Sequence, residues 1–232
     1  MLLLPLALAG DPVAPPVTMS VVPAAGRVSV GQALDVAVVL DVPEGWHIYW
    51  ENPGQSGLAT DVRLTTRATV TGPALPAPTR FVTDGLTSYG YHGPTGFVFS
   101  VATDASGPIV LDAVATYLLC RDICVRGEAS ATANVRVVKQ APTPPLSPFR
   151  SRVPTPFPGT FTLGSGLNLR LPGPGPFDVF PSVPLEAVWT ALWREDDGSL
   201  VLEASFSAPI PPGAHLVVTR GAEAFTLTLT EP

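Results

Sequence analysis

Lysine is nearly absent from this 232-residue chain. Lys139 is the only one, and 13 basic residues stand against 19 acidic ones. With a net charge of −6 and no basic stripe, the chain lacks the footprint that a phosphate backbone requires, so no nucleic acid is expected as a partner. Charged residues make up only 14% of the chain against 46% hydrophobic ones, which excludes the disordered class and supplies a sizeable core. Long hydrophobic runs are missing as well. Nothing reaches the roughly 18 consecutive apolar residues of a membrane helix, so no transmembrane segment is expected in the mature chain. The G-x-S-x-G, H-E-x-x-H and P-loop patterns are absent, which leaves hydrolytic chemistry without support.

Proline and glycine, by contrast, are abundant, at 28 and 21 residues. With valine, threonine and leucine between them, they interrupt long helices and suit short strands joined by turns. The predicted class is all-β. Strand-like segments fall at 18–22, 27–30, 34–42, 46–50, 61–66, 69–71, 97–103, 109–119 and 129–138, the spacing of an immunoglobulin-like β-sandwich over residues 17–140. Within 46–50, Trp46, Ile48 and Trp50 share one face and His47 and Tyr49 the other; Asn52-Pro53-Gly54 reads as a turn. Seven of the 17 residues from Pro142 to Pro158 are proline, so residues 141–158 read as an extended linker. Segments at 160–163, 166–171, 185–193, 200–206, 215–220 and 224–230, with a hairpin turn at Asp196-Asp197-Gly198, predict a second, smaller β-sandwich-like domain over 159–232. At the other end, the apolar run from Leu2 ends in Ala7-Leu8-Ala9, a small-residue cleavage pattern. Residues 1–16 therefore read as the remnant of an export leader, and the location as periplasmic or otherwise exported.

Cysteine is scarce: Cys120 and Cys124 only. In an exported protein one close pair is expected to be bonded. Residues four apart in a straight strand lie roughly 13 Å from each other, whereas a disulfide needs about 4.4–6.8 Å between Cα atoms. The chain must therefore turn back, either as a hairpin with Arg121-Asp122-Ile123 at its tip or as one helical turn. So short a loop stabilises by only about 2 kcal/mol on a chain-entropy estimate, and it does not pin two sheets together. Arg121 and Arg126 put positive charge beside the pair, which favours thiolate, and Asp122 is placed to tune a thiol or accept its proton. Spacing alone leaves two readings open, a local clip and an exchanging pair.

Three segments taken together carry a resemblance. They are Gly45-Trp46-His47-Ile48-Tyr49-Trp50-Glu51-Asn52-Pro53-Gly54-Gln55-Ser56-Gly57, then Tyr89-Gly90-Tyr91, then Leu119-Cys120-Arg121-Asp122-Ile123-Cys124-Val125-Arg126-Gly127-Glu128-Ala129. Their order and spacing resemble the N-terminal periplasmic domain of the DsbD/ScsB thiol-disulfide reductase family over most of residues 18–140. Phe180-Pro181 is similar to a mark of the longer, ScsB-like members. The resemblance implies an immunoglobulin-like sandwich whose Cys120–Cys124 pair is redox-active, taking electrons from a separate membrane donor and passing them to periplasmic thioredoxin-like proteins. It also implies a cap loop over the cysteines at 83–91, with Asp84, Leu86, Ser88, Tyr89, Gly90 and Tyr91 as its residues. The chain departs from DsbD itself in having Ser88 where an aromatic precedes the Tyr-Gly pair, Leu86 opposite an acidic residue, and Arg126 where many relatives have proline. The C-x-x-x-C spacing is more similar to the ScsB branch. Neither the eight-helix membrane domain nor the terminal thioredoxin domain of DsbD is found in the sequence.

Two other readings stand beside this one. In a non-catalytic tandem β-sandwich binding module, the disulfide is a clip and the acidic surface docks a partner. A copper-handling protein would draw on Cys120, Cys124, His47 and His92, since thiolate and imidazole suit Cu(I) and zinc. The spacing matches no standard metal site, so no metal and no cofactor are expected. Tyr89 and Tyr91 also admit a plainer reading, as strand residues packed in the core.

Overall fold

The computed structural model describes residues 15–158, 160–163, 166–171, 176–185, 187–194, 200–206 and 208–229. The leader run at 2–9 and the Asp196-Asp197-Gly198 turn lie outside the described residues. The protein is all-β. The first part of the chain holds β1 (Thr18–Pro23), β2 (Arg27–Ser29), β3 (Leu34–Val42), β4 (Ile48–Gly54), β5 (Asp61–Thr65), β6 (Thr69–Ala74), β7 (Thr79–Thr83), β8 (Leu86–Tyr91), β9 (Gly93–Ala102), β10 (Gly107–Cys120) and β11 (Cys124–Val138). After a 3-10 turn at Pro148–Arg152 come β12 (Thr155–Pro156), β13 (Thr160–Leu163), β14 (Gly166–Leu171), β15 (Phe177–Pro181), β16 (Ala187–Arg194), β17 (Leu200–Phe206), β18 (His215–Arg220) and β19 (Glu223–Thr228).

Two four-stranded sheets, ordered β1-β3-β9-β6 and β2-β11-β10-β5, make the first sandwich. Alternation along β3 and β10 explains why they face each other. Leu34, Val36, Val38 and Leu40 point into one cluster with Ile109, Leu111, Ala113 and Ala115, while Val110, Asp112 and Val114 between the latter stay exposed. A third sheet, β4-β8-β7, lies at one end, and two further sheets, β12-β19-β18-β15 and β13-β14-β17-β16, follow. Among the described residues no strand pairs across the two parts of the chain, yet their interiors meet. On β18, Leu216 and Val218 enter a second cluster with Leu167, Leu169, Leu227 and Leu229, whereas Val217 turns the other way. It joins the first cluster together with Phe180.

Three local readings of the sequence are corrected. Residues 83–91, expected as a loop, instead belong to a β-hairpin of 79–83 and 86–91. Asp84 (φ 52°) and Gly85 (φ 78°) make its two-residue turn, the left-handed pair that an Asp-Gly step supplies. Asn52-Pro53-Gly54 continues β4 rather than ending it. The Asn52 side-chain oxygen accepts from the Gly54 amide at 3.0 Å, and the β4–β8 pairing skips from Tyr49↔Gly90 to Gly54↔Ser88. The proline-rich stretch is docked along the first sandwich. Arg150 Nε donates to Asp35 at 2.6 Å, the Ser147 amide donates to the same carboxylate at 3.1 Å, and Phe149 lies against Gly96.

This docking has a measurable weight. The Asp35 side chain is only 9% exposed, so Arg150→Ala strands a buried carboxylate, and urea unfolding is expected to register a loss of about 2 kcal/mol. The Arg150 hydrogen bond holds the Asp35 carboxyl below its ordinary value, against the opposing effect of burial. That contribution is therefore present above the ordinary aspartate range and lost as pH falls through the lowered value. The variant should accordingly be less sensitive to acid than the parent.

Candidate functional site

The two cysteines close the tip of the longest hairpin. Cys120 ends β10, Cys124 begins β11, and the pair is bonded with Cα atoms 4.2 Å apart. Of the two expected geometries the hairpin is the one adopted, with the Arg121 amide bonded to the Ile123 carbonyl at 3.0 Å across the tip. The sulfurs differ in environment. Cys120 is 1% exposed, whereas Cys124 and the whole of 121–126 are exposed.

Cys120 is buried because β4 approaches it. His47, one residue before β4, exchanges both backbone hydrogen bonds with Cys120, each at 2.9 Å, so the two side chains stand on the same side. The half-buried His47 ring is fixed by its neighbours: Tyr49 Oη lies 3.3 Å from Nε2, and Phe81 of β7 stacks on the ring at 4.7 Å. His92 meets the Phe81 ring edge-on at 6.1 Å. Burial lowers the His47 pKa, which keeps the imidazole neutral, and raises that of Tyr49 against a hydrogen bond from Ser56. The cysteine pair thus has the half-buried His47 beside Cys120 and exposed residues around Cys124.

Two of the anticipated tuning residues engage each other. Arg121 pairs with Asp122 at 2.9 Å and lies 5.0 Å over the Trp46 ring. Arg126 lines a shallow cleft of about 510 Å³ with Leu58, Tyr117 and Glu128, beside the exposed sulfur's strand. Among the described residues no group of three or more His, Cys, Asp or Glu side chains is disposed to hold a metal ion.

The anticipated cap residues lie in the β7–β8 hairpin, on both of its faces and at its tip. Asp84 and Leu86 are exposed at the turn. Ser88 is buried against Ser56, 3.1 Å between hydroxyls, and Gly90 sits so close to β4 that a methyl group there would overlap the Ile48 carbonyl. Tyr91 is in the core, edge-on to Phe97 with its hydroxyl donating to the Pro76 carbonyl at 3.0 Å. Tyr89 packs edge-on against Phe180 at 5.4 Å. The hairpin's aromatic on the His47 side is Phe81. No motif marked it; the signal available was the Asp-Gly turn, which places Phe81 opposite Ser88.

The far half of β4 meets the later sheets. Asn52 Nδ2 donates to the Pro181 carbonyl at 2.8 Å, Trp50 meets Phe180 and His215 edge-on, and His215 Nε2 lies 3.1 Å from the Glu51 carboxylate. The Glu51 hydrogen bond raises the His215 pKa, with burial opposing it and the Gly213 carbonyl assisting. A raised value means the contribution is complete below the ordinary histidine range and is lost as pH rises through the folded value. Thermal melts are expected to drop across that interval, and Glu51→Gln is expected to flatten the drop.

Comparison with known proteins agrees with the site. The family described as the N-terminal domain of the thiol:disulfide interchange protein DsbD matches residues 18–135. The crystal structure of the N-terminal periplasmic domain of ScsB from Proteus mirabilis is similar with a TM-score of 0.61 at 17% identity, over 90% of this chain and 90% of that one, a likeness of fold. No curated protein matches the chain in sequence. No helix among the described residues is long and apolar enough to cross a membrane. With half of its length matched and a cysteine pair closed at the hairpin tip, the chain belongs to the DsbD N-terminal family and carries a thiol-disulfide interchange domain of immunoglobulin-like fold.

Proposed function

We propose that this protein works in the periplasm as a thiol-disulfide exchange protein, with Cys120 and Cys124 as its redox pair. It would receive two electrons from a separate membrane donor and pass them to thioredoxin-like proteins. The observation that carries the reading is the asymmetry of the pair: Cys124 is exposed and Cys120 is buried beside His47. Cys124 is the sulfur that meets partners, and Arg126, two residues further along β11, puts positive charge on its side of the strand, which favours the thiolate. In the reduced protein that thiolate attacks one sulfur of the partner's disulfide. The other partner sulfur leaves with the bonding pair and takes up a proton. Cys120 then gives up its proton and attacks Cys124 Sγ, and the partner's remaining sulfur leaves as a thiolate. Both electrons now reside on the partner and the Cys120–Cys124 bond is restored.

The β7–β8 hairpin serves as the cover, with Phe81 rather than Tyr89 as the ring on the disulfide's side. Residues 17–140 and 159–232 are two units joined through 141–158, the second backing the first along β4 and β8. A redox titration of the full chain in graded glutathione tests the function. A potential above about −300 mV supports exchange, and one below it assigns the bridge a structural role, as in a binding module.

A further inference from the structure

The hairpin that carries Phe81 is held from outside the first sandwich. Its attachment to β4 is thin: Ile48↔Tyr91, Tyr49↔Gly90 and, after a shift, Gly54↔Ser88. β7 is the edge of its sheet among the described residues. A two-stranded ribbon so placed has little stability of its own. On the face away from His47, however, Arg80 and Tyr89 stand directly opposite each other, and the later part of the chain takes up both. Arg80 Nε donates to the two Asp178 carboxylate oxygens, each at 3.1 Å. Its Nη2 donates to the same carboxylate and, at 3.1 Å, to the Val179 carbonyl. The guanidinium lies 5.2 Å from the Tyr89 ring centre and 5.5 Å from that of Phe180, whose ring meets Tyr89 edge-on. All of these second-unit contacts come from one strand, β15.

We propose that the second unit is a latch on the cover. Through Asp178 and Phe180, β15 holds the β7–β8 hairpin down so that Phe81 stays against His47 and over the disulfide, and a docking partner gains access by loosening that hold. This rests on reading the hairpin as a cover. The strength of the hold suits the task. The Arg80–Asp178 pair has both side chains 36% exposed, so solvent screens it to a modest value. The planar fork and the two ring contacts add direction. Together they keep the closed form dominant while leaving the open form within reach of a partner's binding energy.

The test uses the full chain with Asp178→Ala and Arg80→Lys, the latter keeping the charge while losing the fork. Two rates are read, amide hydrogen exchange across 79–91 and reduction of the disulfide by dithiothreitol. Asp178→Ala is expected to raise both by roughly threefold to tenfold, the population shift that weakening a half-exposed charge pair produces, and Arg80→Lys to raise them less. Asp178→Asn replaces Asp178→Ala should the latter fail to fold. Unchanged hydrogen exchange in the hairpin overturns the latch, and so does faster hydrogen exchange with an unchanged reduction rate. Phe81→Ala in the same assay separates the two readings. If it speeds reduction and Asp178→Ala does not, the latch fails and the cover stands; if neither does, the cover fails and takes the latch with it.

Discussion

Cys124→Ser is expected to abolish exchange with thioredoxin-like proteins, while Cys120→Ser stops the same reaction halfway, as a trapped mixed disulfide. The difference follows from exposure. Cys124 belongs to the exposed hairpin tip, so once the cover is displaced its sulfur is the one a partner's disulfide reaches first, and its loss removes the first step. Cys120 is 1% exposed and backed by His47, out of reach of a folded partner but bonded to Cys124 in the oxidised form. Its loss removes only the second step, and the covalent intermediate accumulates. The measurement is a non-reducing gel after mixing each reduced variant with an oxidised thioredoxin-like protein. Both substitutions also remove a short cross-link worth about 2 kcal/mol, so thermal melts must accompany the gel. Equal trapping by the two variants, or none by either, would contradict the assignment.

How much of this was legible in the sequence depended on whether a signal was local. The alternation of Leu34, Val36, Val38 and Leu40, and of Ile109, Leu111, Ala113 and Ala115, is a period-2 code for a half-buried strand, and it gave β3 and β10 nearly to the residue. The close cysteine spacing forced a reversal but left a hairpin and a helical turn equally open; β10 and β11 decide for the hairpin. β8 stayed hidden because its residues facing β4 and Ser56 are Ser88 and Gly90, a hydroxyl and a hydrogen, where a buried strand usually shows β-branched side chains. Their smallness is what lets β4 lie so close, and hence what brings His47 beside Cys120. Asp84-Gly85 was in view, but it marks a hairpin only if both flanks are strands. The docking of Asn52 on Pro181 and of Arg80 on Asp178 joins residues 129 and 98 positions apart, and no local pattern encodes such pairs. Trp50 therefore read as the end of a core strand and Asn52 as the start of a turn, whereas the side chains of Trp50, Glu51 and Asn52 all meet the later sheets.

Removing the Phe81 ring is expected to speed reduction of the disulfide by a small thiol roughly tenfold, the effect of removing an apolar shield worth about 1.4 kcal/mol in the closed form. The ring stacks on His47 at an interplanar angle of 19°, and His47 directly opposes Cys120, which is the placement expected of a cover. Its other neighbour, His92, is exposed, and Phe81 itself is only half-buried. Phe81→Ala should therefore leave the melting temperature almost unchanged, unlike a core truncation. Phe81→Leu keeps apolar bulk over the imidazole and should fall between parent and alanine variant. Reaction with a thioredoxin-like protein should respond less than reaction with dithiothreitol, because a docking protein displaces the hairpin while a small molecule must wait for it to open. The informative quantity is the ratio of the two accelerations, measured by stopped-flow at one pH. An alanine variant no faster than the parent would mean that the cover over Cys120 is β4 itself and that the hairpin plays no part in access, whereas equal accelerations would mean that a docking protein does not displace the hairpin.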